Sequence, residues 1–300
     1  MLKPALRLYD KPGSRRLMLE LAQRADDAGF SGILTPGRGD SLGLCEAILL
    51  GTKRLRVGTN IVNLFARSPI DYARTASLLN ELSGERFVLG VGLGAVEPGR
   101  YAGTPGHPLA DVRAFVEQYK SLAGEEPSLA PLMVATLRER MVRLAGEVAD
   151  GATWANGSLS HMAHSLSLVP SEKRRSFVVG NVIRTCVDSD RKAAAQVIRT
   201  RLRSYFSQPQ YPAYWSEAGF EEEMQAATQA VKDGDVEALD AAMTEEWLAD
   251  VAIYGTPSEV LQRIEAWHAA GVTLLSLDPL STTGSEVRAF ESVFAAVERA

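Results

Sequence analysis

The sequence predicts a (β/α)₈ barrel, and three observations carry that prediction. The stretch 54–94, RLRVGTNIVNLFARSPIDYARTASLLNELSGERFVLGVGLG, reads as strand, helix, strand: a β-branched run, an apolar stripe at helical spacing, then a second short apolar run. A related unit recurs near both ends of the chain. Ala25-Asp26-Asp27-Ala28-Gly29-Phe30 leads into ILTP, and His268-Ala269-Ala270-Gly271-Val272 leads into SLDP, each a helix closed by glycine that feeds a strand and a proline. The length of 300 residues accommodates eight such units in one domain over 1–300. An open doubly wound sheet is the alternative architecture.

Taken in order, Ala5–Tyr9 is a first strand with Asp10 at its carboxyl end. Ser14 caps a helix that buries Met18, Leu21, Ala22, Ala25 and Ala28 and stops at Gly29. Phe30–Thr35 is the second strand, followed by a helix from Leu42 to Thr52. Leu55–Val62 is the third strand. Ser68-Pro69 then starts a helix with Ile70, Ala73, Ala76, Leu79 and Leu82 on one stripe, and Ser83-Gly84 ends it. Phe87–Val91 is the fourth strand. A Gly/Pro-rich loop and a helix from Leu109 to Ala123 lead to strands at Pro131–Val134, Asp150–Trp154 and Phe177–Thr185, each followed by a helix. Between 209 and 250 the alternation breaks into two acidic helical segments, an insertion over the active-site end whose Trp215, Phe220, Met224 and Trp247 suit a satellite core or a lid. A helix at Ser258–Ala270, a strand at Val272–Asp278 and a final helix complete the count.

With 46% hydrophobic residues the chain can bury a sizeable core, and a net charge of −5 gives no electrostatic footprint for nucleic acid. No apolar run reaches the length of a membrane span, and MLKPALRLYD lacks a signal-peptide core, so a cytoplasmic protein acting on a small molecule is expected. Cys45 and Cys186 read as two buried free thiols in a reducing compartment, and four unevenly spaced histidines give no metal site.

In a parallel barrel the ligand lies at the carboxyl ends of the strands. Gly90, Gly92 and Gly94 alternate along one such end, where they either relieve crowding or let backbone approach a planar ring. Trp154-Ala155-Asn156-Gly157-Ser158 joins a strand to a helix start whose N–H groups suit an anion, although Ser158 reads equally as a plain cap. Ala135-Thr136 invites the same two readings. Asp40, Glu97, Tyr101 and His107 are the acids near the expected mouth, with Asp40 and Glu97 the candidate catalytic groups.

VGTNIVNLFARSP, LNELSGERFVLGVGLG, GTPGHPLADVRAF, LAGEVADGATW and GTPSEVLQRIEAWHAAGV together resemble the luciferase-like monooxygenase superfamily over nearly the whole chain, and most closely its branch that uses the deazaflavin coenzyme F-420. The resemblance implies hydride transfer between coenzyme F-420 and an organic substrate, a homodimer through the early helices, and cofactor contacts at Asn60, Ile61, Gly92, Gly94, Ala135, Thr136, Asn156, Gly157 and Ser158. It also implies a non-proline cis peptide at Asn60-Ile61 that supports the back of the ring; it retains Asn63 and Arg67 beyond that strand, with Arg67 read as bracing the loop. FMN is the alternative cofactor, for an oxygen-activating monooxygenase. The sequence departs from the pattern at Thr35–Asp40, where many members carry a histidine; a non-catalytic flavin-binding protein is therefore a third reading.

Overall fold

The computed structural model of the protein describes residues 2–94 and 106–298. The first half contains strands β1 (Ala5–Arg7), β2 (Gly32–Thr35), β3 (Arg56–Thr59), β4 (Val62–Asn63) and β5 (Phe87–Gly92). Helices α1 (Arg15–Asp27), α2 (Ser41–Gly51) and α3 (Pro69–Ser83) alternate with them. Then follow α4 (Pro108–Ser121), β6 (Leu132–Ala135), α5 (Glu139–Val148), β7 (Gly151–Ala155), α6 (Leu159–Ser167), β8 (Val178–Val187) and α7 (Arg191–Leu202). Four helices, α8 (Gln210–Glu217), α9 (Glu221–Asp233), α10 (Val236–Ala242) and α11 (Glu245–Val251), precede β9 (Ala252–Gly255), α12 (Pro257–Ala269), β10 (Leu274–Leu280) and α13 (Glu286–Val297).

The strands are parallel and close into a barrel of eight staves: β1, β2, β3 with β4, β5, β6, β7, β8 and β10, the last pairing back to β1. The third stave is broken. Asn60-Ile61 is a cis peptide, Asn60 N–H and Ile61 C=O bond toward β2, at Thr35 O (2.7 Å) and Gly37 N (2.9 Å), and Val62-Asn63 then returns to pair with β5. One strand differs from the expectation. β9 lies outside the ring as an edge strand on Arg184–Val187 of β8. Four residues that directly follow a helix carry too short an apolar run to separate them from the helix end.

The helix boundaries follow local chemistry. Ser68 caps α3 with its side chain accepting from Asp71 N, Pro69 occupies the first turn, and Gly84 closes the helix in the left-handed region. Thr256 and Glu259 form a capping box at α12. Arg86 donates to Leu49 O, Thr52 O and Leu55 O, satisfying carbonyls where α2 ends and β3 begins. The α3 stripe is corrected at its ends: Ala73, Ala76 and Leu79 are buried, whereas Ile70 and Leu82 face outward with Leu78 and with Leu50 of α2.

Inside the ring, Ala5, Leu34, Val88, Met133, Val182 and Leu274 form a separate apolar plug, one residue from each of six staves. The larger core lies between the strands and the helices. The insertion has its own centre: Trp215 and Trp247 stack edge to face at 4.9 Å, with Phe206 against both. Phe220 and Met224 are buried, as the satellite-core reading expects. Among the described residues no helix is long and apolar enough to cross a membrane.

Asp26 shows how a charge near the end of α1 anchors the turn between α2 and β3. Its buried carboxylate accepts from Lys53 N (2.8 Å), Arg54 N (3.0 Å) and Leu55 N (3.1 Å). Asp26→Ala leaves these N–H groups without their acceptor and should lower stability by about 3 kcal/mol, read as a fall in the urea midpoint.

Candidate functional site

Side chains alternate along a strand, so the residues two and four positions beyond the plug form the carboxyl-end mouth of the barrel. On β5 and β6 these are Gly90, Gly92 and Ala135, with Asn60 beside them just past the end of β3. On β1, β8 and β10 they are Arg7, Arg184 and Asp278. The strand order sets β6 across from β1, β5 across from β10, and β3 across from β8. The mouth therefore has one wall of small, neutral residues and one wall of charge.

The small wall is built around Ile61, whose side chain lies over β5. A Cβ on Gly92 would fall 2.6 Å from the Ala135 Cβ and 3.2 Å from Ile61 Cδ1. A Cβ on Gly90 would fall 2.0 Å from Thr59 O. Thr59 Oγ1 donates to Gly90 O (2.7 Å) and accepts from Gly90 N (2.9 Å), locking β3 to β5 at this level. Gly94 has φ +60°, which a branched residue adopts only with strain, and among the described residues a Cβ there would meet nothing closer than 3.7 Å. Beneath the wall Asn60 Nδ2 reaches across to Thr153 Oγ1 of β7 at 2.8 Å. Asn63 donates to Leu93 O and accepts from Phe65 N, whereas Arg67, expected to brace this loop, is exposed.

Ala135 is half-buried at the end of β6, and Thr136 N–H is held by Thr153 O at 2.8 Å. Asn156 is fully buried in the left-handed region, with φ +53°; its N–H bonds Val182 O and its C=O accepts from Trp215 Nε1. Among the described residues neither side-chain atom of Asn156 has a partner in hydrogen-bond geometry.

At Gly157 and Ser158 the donors that suit an anion are already bonded within the chain. Gly157 N–H goes to Asn181 Oδ1 (3.2 Å) and Ser158 N–H to the Tyr214 hydroxyl (3.0 Å). Asp250 of α11 accepts from Ser158 Oγ and from Ser160 N (2.8 Å), so the start of α6 holds a carboxylate of its own. Asp40 is the N-cap of α2, accepting from Gly43 N at 3.0 Å, while its own N–H binds Asp10. Arg15 and the Asp40 N–H hold the Asp10 carboxyl below the usual carboxylate range. Glu97 and Tyr101 lie outside the described residues. His107 is the exposed residue before α4 and makes no side-chain cap bond.

The charged wall was not anticipated. Asp278 accepts from the Tyr9 hydroxyl and pairs with Arg184, which is 2% exposed, and with Arg7 at 3.3 Å. Arg184 donates its other terminal nitrogen to the Tyr205 hydroxyl. Tyr205 closes a 3-10 turn after α7 and packs edge to face on Tyr211 at 4.6 Å. A cleft at the opposite, amino-terminal end of the staves is lined by Arg56, Glu85, Lys120, Asp150 and Phe177 and contains none of these groups. Both cysteines are buried and free; burial pushes the Cys45 thiol up to about 12 and Cys186 to about 11, so neither is a nucleophile at neutral pH.

Gly92→Ala should destabilise the protein by about 1–3 kcal/mol, since the neighbours at 2.6 and 3.2 Å must move to admit one methyl group. Thermal unfolding against the wild type measures this, and an unchanged midpoint would show that the wall is loose.

Comparison with known proteins agrees with this architecture. A profile of the luciferase-like monooxygenase family matches residues 4–274. The chain is 24% identical to a putative coenzyme F-420-dependent oxidoreductase of Mycobacterium tuberculosis, over 85% of this chain and 88% of that protein. It superposes with a TM-score of 0.74 on the coenzyme F-420-dependent tetrahydromethanopterin reductase of Methanopyrus kandleri, at 18% identity and covering 98% and 97% of the two chains. It superposes at 0.65 on the oxygenating constituent of 3,6-diketocamphane monooxygenase of Pseudomonas putida in complex with FMN, at 17% identity and covering 99% and 96%. With a match that spans nearly all of its length, the chain belongs to the luciferase-like monooxygenase family.

Proposed function

We propose that the protein is an oxidoreductase that uses coenzyme F-420 to exchange a hydride with a small organic substrate. The observation that carries this reading is the wall of Gly92, Gly94 and Ala135 under Ile61. A Cβ on Gly92 would fill the space against Ile61 and Ala135, and one on Gly94 would come against Asn63 Nδ2 and Ile61 Cδ1 at 3.7 and 3.8 Å, so both glycines keep the backbone beside Ile61 bare. Buried polar atoms without partners among the described residues, the Asn156 amide and Ser276 Oγ among them, supply hydrogen-bonding capacity at the same end. When bound, the deazaflavin supplies the hydride.

The residues of this chain have three tasks. Ile61 holds the ring against lateral movement with a β-branched, stiff side chain. Asn60 and Thr153 fix the floor beneath it through their cross-barrel hydrogen bond. Phe206, Trp215 and Trp247 stabilise the insertion beside the mouth, which limits access of water. Gly157, Ser158 and Asp40 take no part in this reading, because their polar groups are engaged within the chain.

Relatives and neighbours named for coenzyme F-420 favour the deazaflavin, and the neighbour in complex with FMN makes the monooxygenase the second reading. Fluorescence titration of the purified apoprotein separates the two. The expected result is micromolar or tighter binding of coenzyme F-420, weaker binding of FMN, and loss of affinity in Gly94→Val; the reverse order of affinities would promote the monooxygenase.

The exposed Leu50, Ile70, Leu78 and Leu82 on α2 and α3 support a two-fold homodimer through these helices, and two buried free thiols fit a cytoplasmic protein. Sedimentation should give a dimer at micromolar concentration, and Leu78→Lys with Leu82→Lys should shift it to monomer.

A further inference from the structure

We propose that Tyr205 is the proton donor of the reaction and that the substrate is a carbonyl compound, reduced to its alcohol at the charged wall. The inference rests on the hydride-transfer reading above. It fills the place left open by Thr35–Asp40, where no histidine stands.

The geometry comes first. The Tyr205 oxygen accepts an N–H from Arg184, a bond that does not use its own O–H, which can be given to another acceptor. Tyr205 is half-buried, as are Arg7 and Tyr9, so these groups face the open mouth while Arg184 and Asp278 lie sealed behind them. The strand order puts this wall across the barrel from Ile61 and Gly92. A substrate between the two walls thus meets a flat apolar surface on one side and a phenol on the other.

Charge decides the kind of substrate. Two guanidinium groups, Arg7 and Arg184, face one carboxylate, Asp278, leaving one net positive charge at a buried site. Such a wall stabilises an oxygen that gains negative charge as the adjoining carbon accepts hydride, and it repels a cationic acceptor. The groups facing Tyr205 are Arg184 from β8, Arg7 and Tyr9 from β1, Asp278 from β10 through Arg184, Tyr211 from α8 and the neutral Asn156 amide after β7.

The acidity of the phenol follows from these neighbours. Burial raises the Tyr205 hydroxyl, but the charges of Arg184 and Arg7, with the nearby Asn156 amide and the Arg184 hydrogen bond, outweigh it and bring the hydroxyl below its ordinary value of 10.0. Burial pushes the hydroxyls of Tyr119, Tyr211, Tyr214 and Tyr254 the other way. In the step itself, the carbonyl carbon takes the hydride, with its electron pair, from the reduced deazaflavin. The C=O π bond breaks, and the oxygen takes the proton of Tyr205. The products are the alcohol, the oxidised deazaflavin and a Tyr205 phenolate paired with Arg184, which regains its proton from solvent at the mouth. In the reverse direction the phenolate accepts the alcohol proton.

The test uses Tyr205→Phe, which keeps the ring against Tyr211 and removes only the hydroxyl. Near-ultraviolet tyrosinate absorbance of the protein alone, wild type minus variant, should show one tyrosine ionising below the ordinary value. This readout needs no cofactor. With coenzyme F-420 bound and reduced, cyclohexanone and benzaldehyde serve as probe substrates. The variant should bind the coenzyme as the wild type does, keep KM, and lose about 10²–10⁴-fold in kcat. Arg7→Gln keeps the hydroxyl and removes one guanidinium, so both the tyrosinate titration and the pH profile of kcat should move upward together. Failure of the wild type to bind coenzyme F-420 would overturn the functional reading itself. Binding without reduction of either carbonyl, full kcat in Tyr205→Phe, or a Tyr205 that ionises at or above the ordinary value would each overturn the inference while leaving that reading intact.

Discussion

Asp278 holds the closure of the barrel and the chemistry of its mouth together. It is in register with Arg184 across β8 and β10, and it lies beside Arg7 across β10 and β1. These are the staves at which the ring closes. Taking three charges out of water is costly, and the cost is offset only where each has a partner at contact distance. Asp278 satisfies that condition by pairing with both guanidiniums and accepting from Tyr9. Without it two like charges would face each other inside the barrel, a loss on the order of 3–5 kcal/mol for a broken buried pair. The same carboxylate keeps the wall at one net positive charge instead of two.

The barrel was legible in the sequence because its strands are buried on both faces. Such strands read as short continuous apolar runs, and helices of 3.6 periodicity between them fix their number. All eight staves lie where the apolar runs place them, within a few residues at each end. β9 was not legible: AIYG is four residues long and continues directly from α11, so no periodicity separates the two. The outward-facing ends of the α3 stripe were misread for a different reason. Ile70 and Leu82 keep helical spacing, and only the position of the neighbouring helices decides that they face outward.

The two walls of the mouth differ in the same way. Glycines at alternate positions are a local signal, so Gly90, Gly92 and Gly94 could be singled out before any fold was known. The charged wall joins residues far apart in the chain: Arg7 and Asp278 are separated by 271 positions. In ALRLYD and in NVIRTC an arginine within a strand looks like a solvent-facing residue, and nothing adjacent marks it as buried. Register makes the site. Tyr205 was absorbed into the helix that precedes it, because a 3-10 turn continues the same local pattern for one more step.

The start of α6 shows why a correct local rule can still misplace a function. Asn156-Gly157-Ser158 before a helix does expose N–H groups that suit an anion, and an anion is there. It is Asp250, delivered by α11 from 90 residues further along, with Tyr214 and Asn181 taking the remaining donors. The insertion is thereby fastened to the carboxyl end of β7 by polar contacts, while Trp215 bonds the Asn156 carbonyl and Arg184 on β8 donates to Tyr205. One set of contacts thus secures the helices beside the mouth and turns a phenol toward it. Tyr205 itself precedes the insertion, in the turn that closes α7, so the helices of 210–251 pack against the group that Arg184 holds and do not supply it.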